Sequence, residues 1–137
     1  MPDFQETELW QKARDMVREA YRVTGSWPDS GGPGLASDVR SSARMVAKSV
    51  PRALEKRVGP TGNLPLILSL SNFSDLEVLC AIAIDLGYAS EADLTGLIGL
   101  VEGMKADFKV IAKAAREVAK ERRSKMFGMD LFDEDED

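Results

Sequence analysis

Residues 39–56 read VRSSARMVAKSVPRALEK, and this stretch decides the fold because it separates charged from apolar surface at helical spacing. Its basic residues recur at every fourth position: Arg40, Arg44, Lys48, Arg52 and Lys56. Each step of four advances about 40° around an α-helix, so the five charges form one band on one side. The apolar residues fall opposite, at Val39, Ala43, Val46, Ala47, Val50, Ala53 and Leu54. The segment predicts an amphipathic helix with one packing face and one face for negative charge.

The same spacing of basic residues recurs in two other segments. One series is Arg14, Arg18 and Arg22, and the other is Lys105, Lys109 and Lys113. Like charges four apart on a helix repel by about 0.2–0.5 kcal/mol per pair, and a polyanion would offset that cost. The alternative is that the three series are solvated faces, or that they pair with acids of neighbouring subunits or of a partner protein. The recurrence favours a surface that binds a nucleic-acid backbone.

The charge balance separates a near-neutral body from an acidic tail. The chain has 137 residues, which is one domain by length, with 18 basic and 23 acidic residues. Six of the acids lie within 130–137, which leaves 17 acids against all 18 basic residues in the rest. We expect a folded domain over 1–125 and a disordered acidic tail over 126–137, because the tail is too short and polar to fold alone.

Apolar periodicity predicts four helices and no strands. The first spans about 7–24, and the second spans about 35–57 with a kink at Pro51. The third begins after an Asn63 cap and reaches about 86, and the fourth opens with a capping box at Ser90 and runs to about 125. The prediction is an all-α, antiparallel up-down four-helix bundle. Because the third helix is apolar on nearly all sides, we also expect contact with another subunit and a homo-oligomer.

The residue inventory gives little support to catalysis. The chain has no His, and its one cysteine, Cys80, lies in an apolar run where a buried thiol is expected. We therefore expect no enzyme, no metal site and no cofactor. Trp10 falls on the apolar face of the first helix and is interpreted as core, whereas Trp27 lies in a Gly- and Pro-rich loop. The N-terminal residues do not form a secretory signal, and the apolar runs are too short to cross a bilayer, so a cytoplasmic location is expected.

Several segments resemble one bacterial four-helix-bundle family. They are residues 8–13 (ELWQKA), 35–43, Leu76-Glu77 and 85–90 (DLGYAS). The family is named for proteins encoded in intervening sequences of large-subunit ribosomal RNA, and it includes accessory proteins of diversity-generating retroelements. The resemblance covers about 7–118. It implies a small up-down bundle, assembly into pentameric rings with basic surface, and, for the retroelement members, binding of nucleic acid and of a reverse transcriptase.

The chain departs from the family pattern in the second helix. Where the family reads Ser-Ile-Pro-Ala-Asn-Ile-Ala-Glu-Gly, this chain has residues 45–53, MVAKSVPRA, with its proline one turn later. Ser49, Arg52 and Ala53 stand at the family's Asn, Glu and Gly positions, and Ser71-Asn72 replaces a Gly-Ser pair. Exchanging Glu for Arg52 strengthens the basic series and favours anion binding.

The sequence thus predicts a non-enzymatic, oligomeric scaffold that binds RNA or DNA, as an accessory to a reverse transcriptase, and that has no membrane role. The predicted phosphate-binding residues are the three basic series named above. The alternative is a protein-interaction adaptor with no nucleic-acid role.

Overall fold

The computed structural model describes residues 3–54 and 64–128, with side chains at 64–68 outside that description. A short 3₁₀ helix, Asp3–Glu6, precedes four α-helices: α1 Glu8–Thr24, α2 Leu35–Ala53, α3 Leu64–Asp85 and α4 Glu91–Phe127. The described residues contain no strand, which confirms the all-helical prediction. α1 packs on α2 and α4, and α3 packs on the same two helices, as in a four-helix bundle.

The core runs between the helices and is built from their inward faces. Phe73 of α3 meets Phe108 of α4 edge to face, with ring centroids 5.0 Å apart, and both side chains are fully buried. Burying a large apolar side chain contributes about 1.5–3 kcal/mol relative to leaving it exposed, so this pair is a major anchor between α3 and α4. The other large, fully buried apolar side chains are Met16, Leu76, Leu94, Leu97, Met104, Val39, Val46, Val50 and Val101.

The predicted apolar face of α2 is confirmed. Six of its seven residues are buried, namely Val39, Ala43, Val46, Ala47, Val50 and Ala53, and Leu54, directly after the helix, is half-buried. These side chains are small, which lets α2 approach its neighbours closely. Pro51 lies in the last turn, and α2 ends two residues later, at Ala53. The predicted end at 57 and the Asn63 cap lie outside the described residues.

The predicted start of α4 is confirmed, and its predicted end is wrong. The capping box at the start of α4 is confirmed, because Ser90 Oγ accepts from the Asp93 amide at 3.1 Å and Asp93 Oδ2 accepts from the Ser90 amide at 3.0 Å. The predicted end of α4 is two residues short, since no Gly or Pro follows Gly103 before Gly128 and the helix continues to Phe127. Met126 and Phe127 therefore belong to α4, and 129–137 lie outside the described residues.

One face of α3 carries exposed apolar side chains. Phe73, Leu76, Cys80 and Ala83 point into the core. Val78, Ile82 and Leu86 follow one another at intervals of four along α3 and its C-terminal end, and they are 57%, 40% and 58% exposed. The fold therefore leaves part of this apolar surface in contact with solvent. Over the described ranges, the helices include none long and apolar enough for a membrane span.

Candidate anion-binding groove

A groove of about 490 Å³ lies between α1 and α2 at the end of the bundle where the 3₁₀ helix packs. The residues that line it are Phe4, Trp10, Arg14, Val17, Arg18, Arg44, Ala47, Lys48 and Pro51. Apolar side chains and ring carbons form its floor, and the four basic residues contribute mainly their aliphatic stems to the lining. The described lining includes no Asp or Glu. The groove is therefore an apolar surface bordered by four basic residues.

The N-cap of α1 shapes the aromatic end of the groove. Thr7 Oγ1 donates to the Phe4 carbonyl at 2.6 Å and accepts from the Trp10 amide at 3.2 Å. These two bonds hold the 3₁₀ helix against α1 and satisfy a free amide at the helix start. Phe4 and Trp10 consequently meet edge to face, with centroids 5.0 Å apart and an interplanar angle of 82°. Trp10 packs against the core on one side and lines the groove on the other.

The four groove cations come in pairs from two of the predicted basic series. Arg14 and Arg18 extend from α1, and Arg44 and Lys48 extend from α2. All four are exposed. Arg44 donates to the Tyr21 hydroxyl at 2.7 Å, whereas the other three have no hydrogen-bond or ion-pair partner among the described residues. Within the described part of the chain, Arg44 is therefore the one groove cation with a bonding partner.

Arg40, the first residue of the α2 series, has a structural role. Its Nε donates to Thr24 Oγ1 at 2.8 Å, and its terminal nitrogens donate to the Ser30 carbonyl at 3.1 Å and to Ser30 Oγ at 3.0 Å. Its guanidinium also stacks over the Tyr21 ring, 5.1 Å from the centroid. These contacts tie α1 to the connection that precedes α2. Arg52 is exposed and lies outside the groove lining, and Lys56 lies outside the described residues.

The connection before α2 has a second organising residue. Asp29 Oδ2 accepts from the Leu35 amide at 2.7 Å, and Asp29 Oδ1 accepts from the Ala36 amide at 3.3 Å. This carboxylate caps α2 from five residues upstream of Gly34, which has no side chain with which to cap. Trp27 of the same connection is only 4% exposed and packs edge to face on Tyr88 at 5.7 Å. Trp27 is therefore a core residue, and Trp10 is the tryptophan at the groove.

The remaining predicted site residues lie apart from the groove. Arg22 pairs with Glu19 on α1, with Nη2 and Oε2 3.0 Å apart, and this hydrogen bond lowers the pKa of the Glu19 carboxyl. Lys105 of α4 donates to Glu77 of α3 at 2.7 Å and is partly buried. Lys109 and Lys113 are exposed on α4. The structure therefore brings together four of the predicted residues and leaves the α4 series elsewhere.

Sequence reasoning missed the apolar floor. Ala47 was predicted only as a packing position and Pro51 only as a kink, and both line the groove. Phe4 was not singled out, although an aromatic residue three positions before a threonine cap and a second one three positions after it could have indicated the pairing. Two basic helical faces form one groove only if their helices pack side by side. The spacing of residues within each helix does not indicate which helices pack together.

The described lining of the groove includes no Cys, Asp, Glu or His, and its surface is almost entirely apolar, so the four basic residues line it with their aliphatic stems. Cys80 lies in the core, where burial raises the pKa of its thiol to about 11. Within the described part of the chain, no cluster of three or more acidic, Cys or His residues could hold a metal ion.

Comparison with known proteins leaves the family open. No protein-family model matches the chain, and the search of curated proteins also finds no match. The resemblance given above therefore supports proposals only.

Proposed function

We propose that this protein is a non-enzymatic scaffold that binds single-stranded nucleic acid in the groove between α1 and α2. The observation that supports this function best is the pairing of Arg14 and Arg18 with Arg44 and Lys48 along one groove. A phosphate backbone carries negative charges at regular intervals, so one strand can contact both pairs of cations. Phosphate contacts provide affinity without sequence specificity.

The partial exposure of Trp10 favours binding of single-stranded nucleic acid over binding of a duplex. Proteins that hold single strands combine a basic groove with aromatic rings on which bases stack, and each stacked base contributes about 1–3 kcal/mol. Trp10 is only partly buried and lies among the four cations, so an unpaired base has access to it. Paired bases in a duplex would present no free face to the indole.

The proposed assembly is an antiparallel up-down bundle that forms a ring-shaped homo-oligomer in the cytoplasm. Contacts that link Lys12 to Asp107 and Glu19 to Gly96 support the antiparallel course of α1 and α4. The exposed apolar stripe of Val78, Ile82 and Leu86 supports a subunit interface. The family resemblance is the basis for proposing that the ring is a pentamer and that the protein assists a reverse transcriptase. A ring would place several grooves on one strand and raise its effective concentration at each.

The second candidate function is a protein-interaction adaptor. The same apolar stripe on α3 favours it, because a stripe of this kind can pack on a different protein as well as on a second copy. In that case the groove cations would pair with acidic side chains of the partner, and nucleic acid would not compete for them.

Two variants with equal charge loss test the proposed function. Arg14→Gln with Lys48→Gln removes two free groove cations, whereas Lys109→Gln with Lys113→Gln removes two exposed cations of α4. We expect fluorescence anisotropy with a labelled single-stranded oligonucleotide to show weaker binding for the groove variant at every sequence tested. Its slope of log affinity against log salt should flatten by about 1.4, which is about 0.7 for each lost contact. Equal loss in both variants would show that only net charge matters and would favour the adaptor.

A further inference from the structure

The groove has two chemically different parts, and a peptide with both apolar and acidic side chains would bind to both of them. Its floor is formed by Phe4, Trp10, Val17, Ala47 and Pro51. Its four cations include Arg14 and Lys48, which have no bonding partner in the described part of the chain. A segment that joins apolar side chains to several carboxylates would fill the floor and neutralise the cations.

The chain itself contains such a segment. Residues 129–137 read MDLFDEDED, with three apolar side chains followed by five consecutive acids. The segment carries six of the chain's 23 acids, so its charge is opposite to that of the groove. Exposed rim charges of opposite sign bring partners together and set their register.

Chain length prevents the apolar part of this segment from reaching the groove of its own subunit. Lys12 bonds to Asp107 at 2.8 Å, which fixes Asp107 at the level of the groove residues of α1. A Cβ on Gly96 would lie 2.6 Å from Glu19, so α4 passes Glu19 before it passes Lys12 and then continues away from the groove. From Asp107 to Phe127, α4 covers roughly 30 Å at about 1.5 Å per residue.

The chain between Gly128 and Phe132 is too short to bring the apolar residues back to the level of the groove. An extended chain spans at most about 3.6 Å per residue, so the chain from Gly128 to Phe132 is at most roughly 15 Å long. Only the last acids, with a reach of about 30 Å, approach the level of the groove, and they would arrive without the apolar side chains. A second copy of the chain is not subject to this limit.

We infer that the groove between α1 and α2 binds residues 129–137 of a second copy of this protein. Leu131 and Phe132 pack on the groove floor, and the acids that follow pair with Arg14, Arg18 and Lys48. Since the donating tail and the accepting groove are different surfaces, the contact is head to tail and builds rings or open chains according to its rotation. The inference does not depend on nucleic-acid binding, although a strand in the groove would displace the tail.

A mixed-chain NMR experiment on the full-length protein tests this contact. One population carries a nitroxide on Asp137→Cys, with Cys80→Ala to leave a single thiol, and is not isotopically labelled. The other population is ¹⁵N-labelled and unmodified, so its two tryptophan indole signals report on the groove through Trp10 and on the core through Trp27. We expect the Trp10 signal to broaden as the spin-labelled population is added, while the Trp27 signal keeps its intensity.

Matched variants locate the contact. Arg14→Gln with Lys48→Gln in the ¹⁵N population should weaken the affinity read from the broadening of Trp10 by about tenfold, which is the size of two exposed ion pairs. Lys109→Gln with Lys113→Gln should leave it unchanged. Leu131→Ser with Phe132→Ser in the spin-labelled population should also weaken it. An equal response of both charge variants would overturn the assignment of the groove.

Two further outcomes would also overturn the inference. One is an unchanged Trp10 signal in the mixed sample at millimolar protein. The other is broadening that appears only when the nitroxide and the ¹⁵N label are on the same chain, diluted among unlabelled chains. No nucleic acid is present, so either result leaves the oligonucleotide experiment to decide the proposed function on its own.

Discussion

Arg40 donates its Nε proton to the fully buried hydroxyl of Thr24 at 2.8 Å, and this bond joins α2 to the end of α1. The same guanidinium donates to the carbonyl and hydroxyl of Ser30. Arg44, one turn later, is exposed and lines the groove. Two residues of one regular series therefore have different surroundings: Arg40 ties α1 to the connection before α2, and Arg44 lines the groove.

The first prediction separates these roles by replacing each arginine with glutamine, which has similar helix propensity. Arg40→Gln should lower the free energy of unfolding by about 1–3 kcal/mol, because it removes hydrogen bonds to a charged donor at a partly buried position. Arg44→Gln should change it by less than about 0.5 kcal/mol, as exposed substitutions usually do. Urea denaturation followed by circular dichroism measures both. Equal stability of the two variants would contradict the structural role of Arg40.

The second prediction concerns the close contact between Gly34 and Asp29. Gly34 has φ of 147°, and a Cβ there would lie 2.3 Å from Asp29 Oδ2, the atom that caps α2. Gly34→Ala should lower the free energy of unfolding by about 1–3 kcal/mol, through backbone strain and loss of the cap. Gly32→Ala is the matched control, since no atom lies within 4 Å of its added Cβ. Thermal denaturation should show a lower midpoint for Gly34→Ala alone.

The third prediction is a pH dependence of stability. Hydrogen bonds from Ser90 lower the pKa of the Asp93 carboxyl. A carboxyl with a lowered folded-state pKa stabilises the fold fully above its unfolded value of about 3.9, and that contribution disappears as the pH falls through the folded-state value. The difference in urea midpoint between the parent and Asp93→Asn should therefore be largest near neutral pH and vanish near pH 2. A difference that stays constant with pH would show that the carboxylate charge is not involved.

The fold was largely predictable because its signals are local. Helical spacing of Val39, Ala43, Val46 and Val50 marked the buried face of α2, and the Ser90–Asp93 pattern marked the start of α4. The end of α4 was placed two residues too early because 126–137 was interpreted as one polar tail, although no residue that breaks a helix precedes Gly128.

The groove was only partly predictable because it depends on tertiary contacts. Spacing placed Arg40 and Arg44 on one face, but only the fold shows that Arg40 turns toward Ser30 and that Lys105 is bonded to Glu77. The side chain of Trp10 was interpreted as core because helical spacing cannot indicate that one of its faces borders a groove.

The fourth prediction tests base stacking at the groove. Trp10→Leu keeps an apolar side chain against the core but removes the large aromatic face. Binding of a single-stranded oligonucleotide should weaken by about tenfold, within the range for loss of one stacked base, while the dependence on salt stays the same because no cation is lost. Phe4→Leu gives a comparison at the neighbouring ring. Unchanged affinity of Trp10→Leu would limit the groove to phosphate contacts.

The most direct test of the central claim is the fluorescence of Trp10 in the full-length Trp27→Phe variant, where it is the only tryptophan. The groove account predicts saturable quenching as a single-stranded oligonucleotide is added, with a midpoint that matches the affinity from anisotropy and moves to higher concentration with added salt. Arg14→Gln with Lys48→Gln should shift that midpoint upward, and Lys109→Gln with Lys113→Gln should not. Tight binding by anisotropy with no change in Trp10 fluorescence would place the nucleic acid elsewhere on the protein and contradict the account.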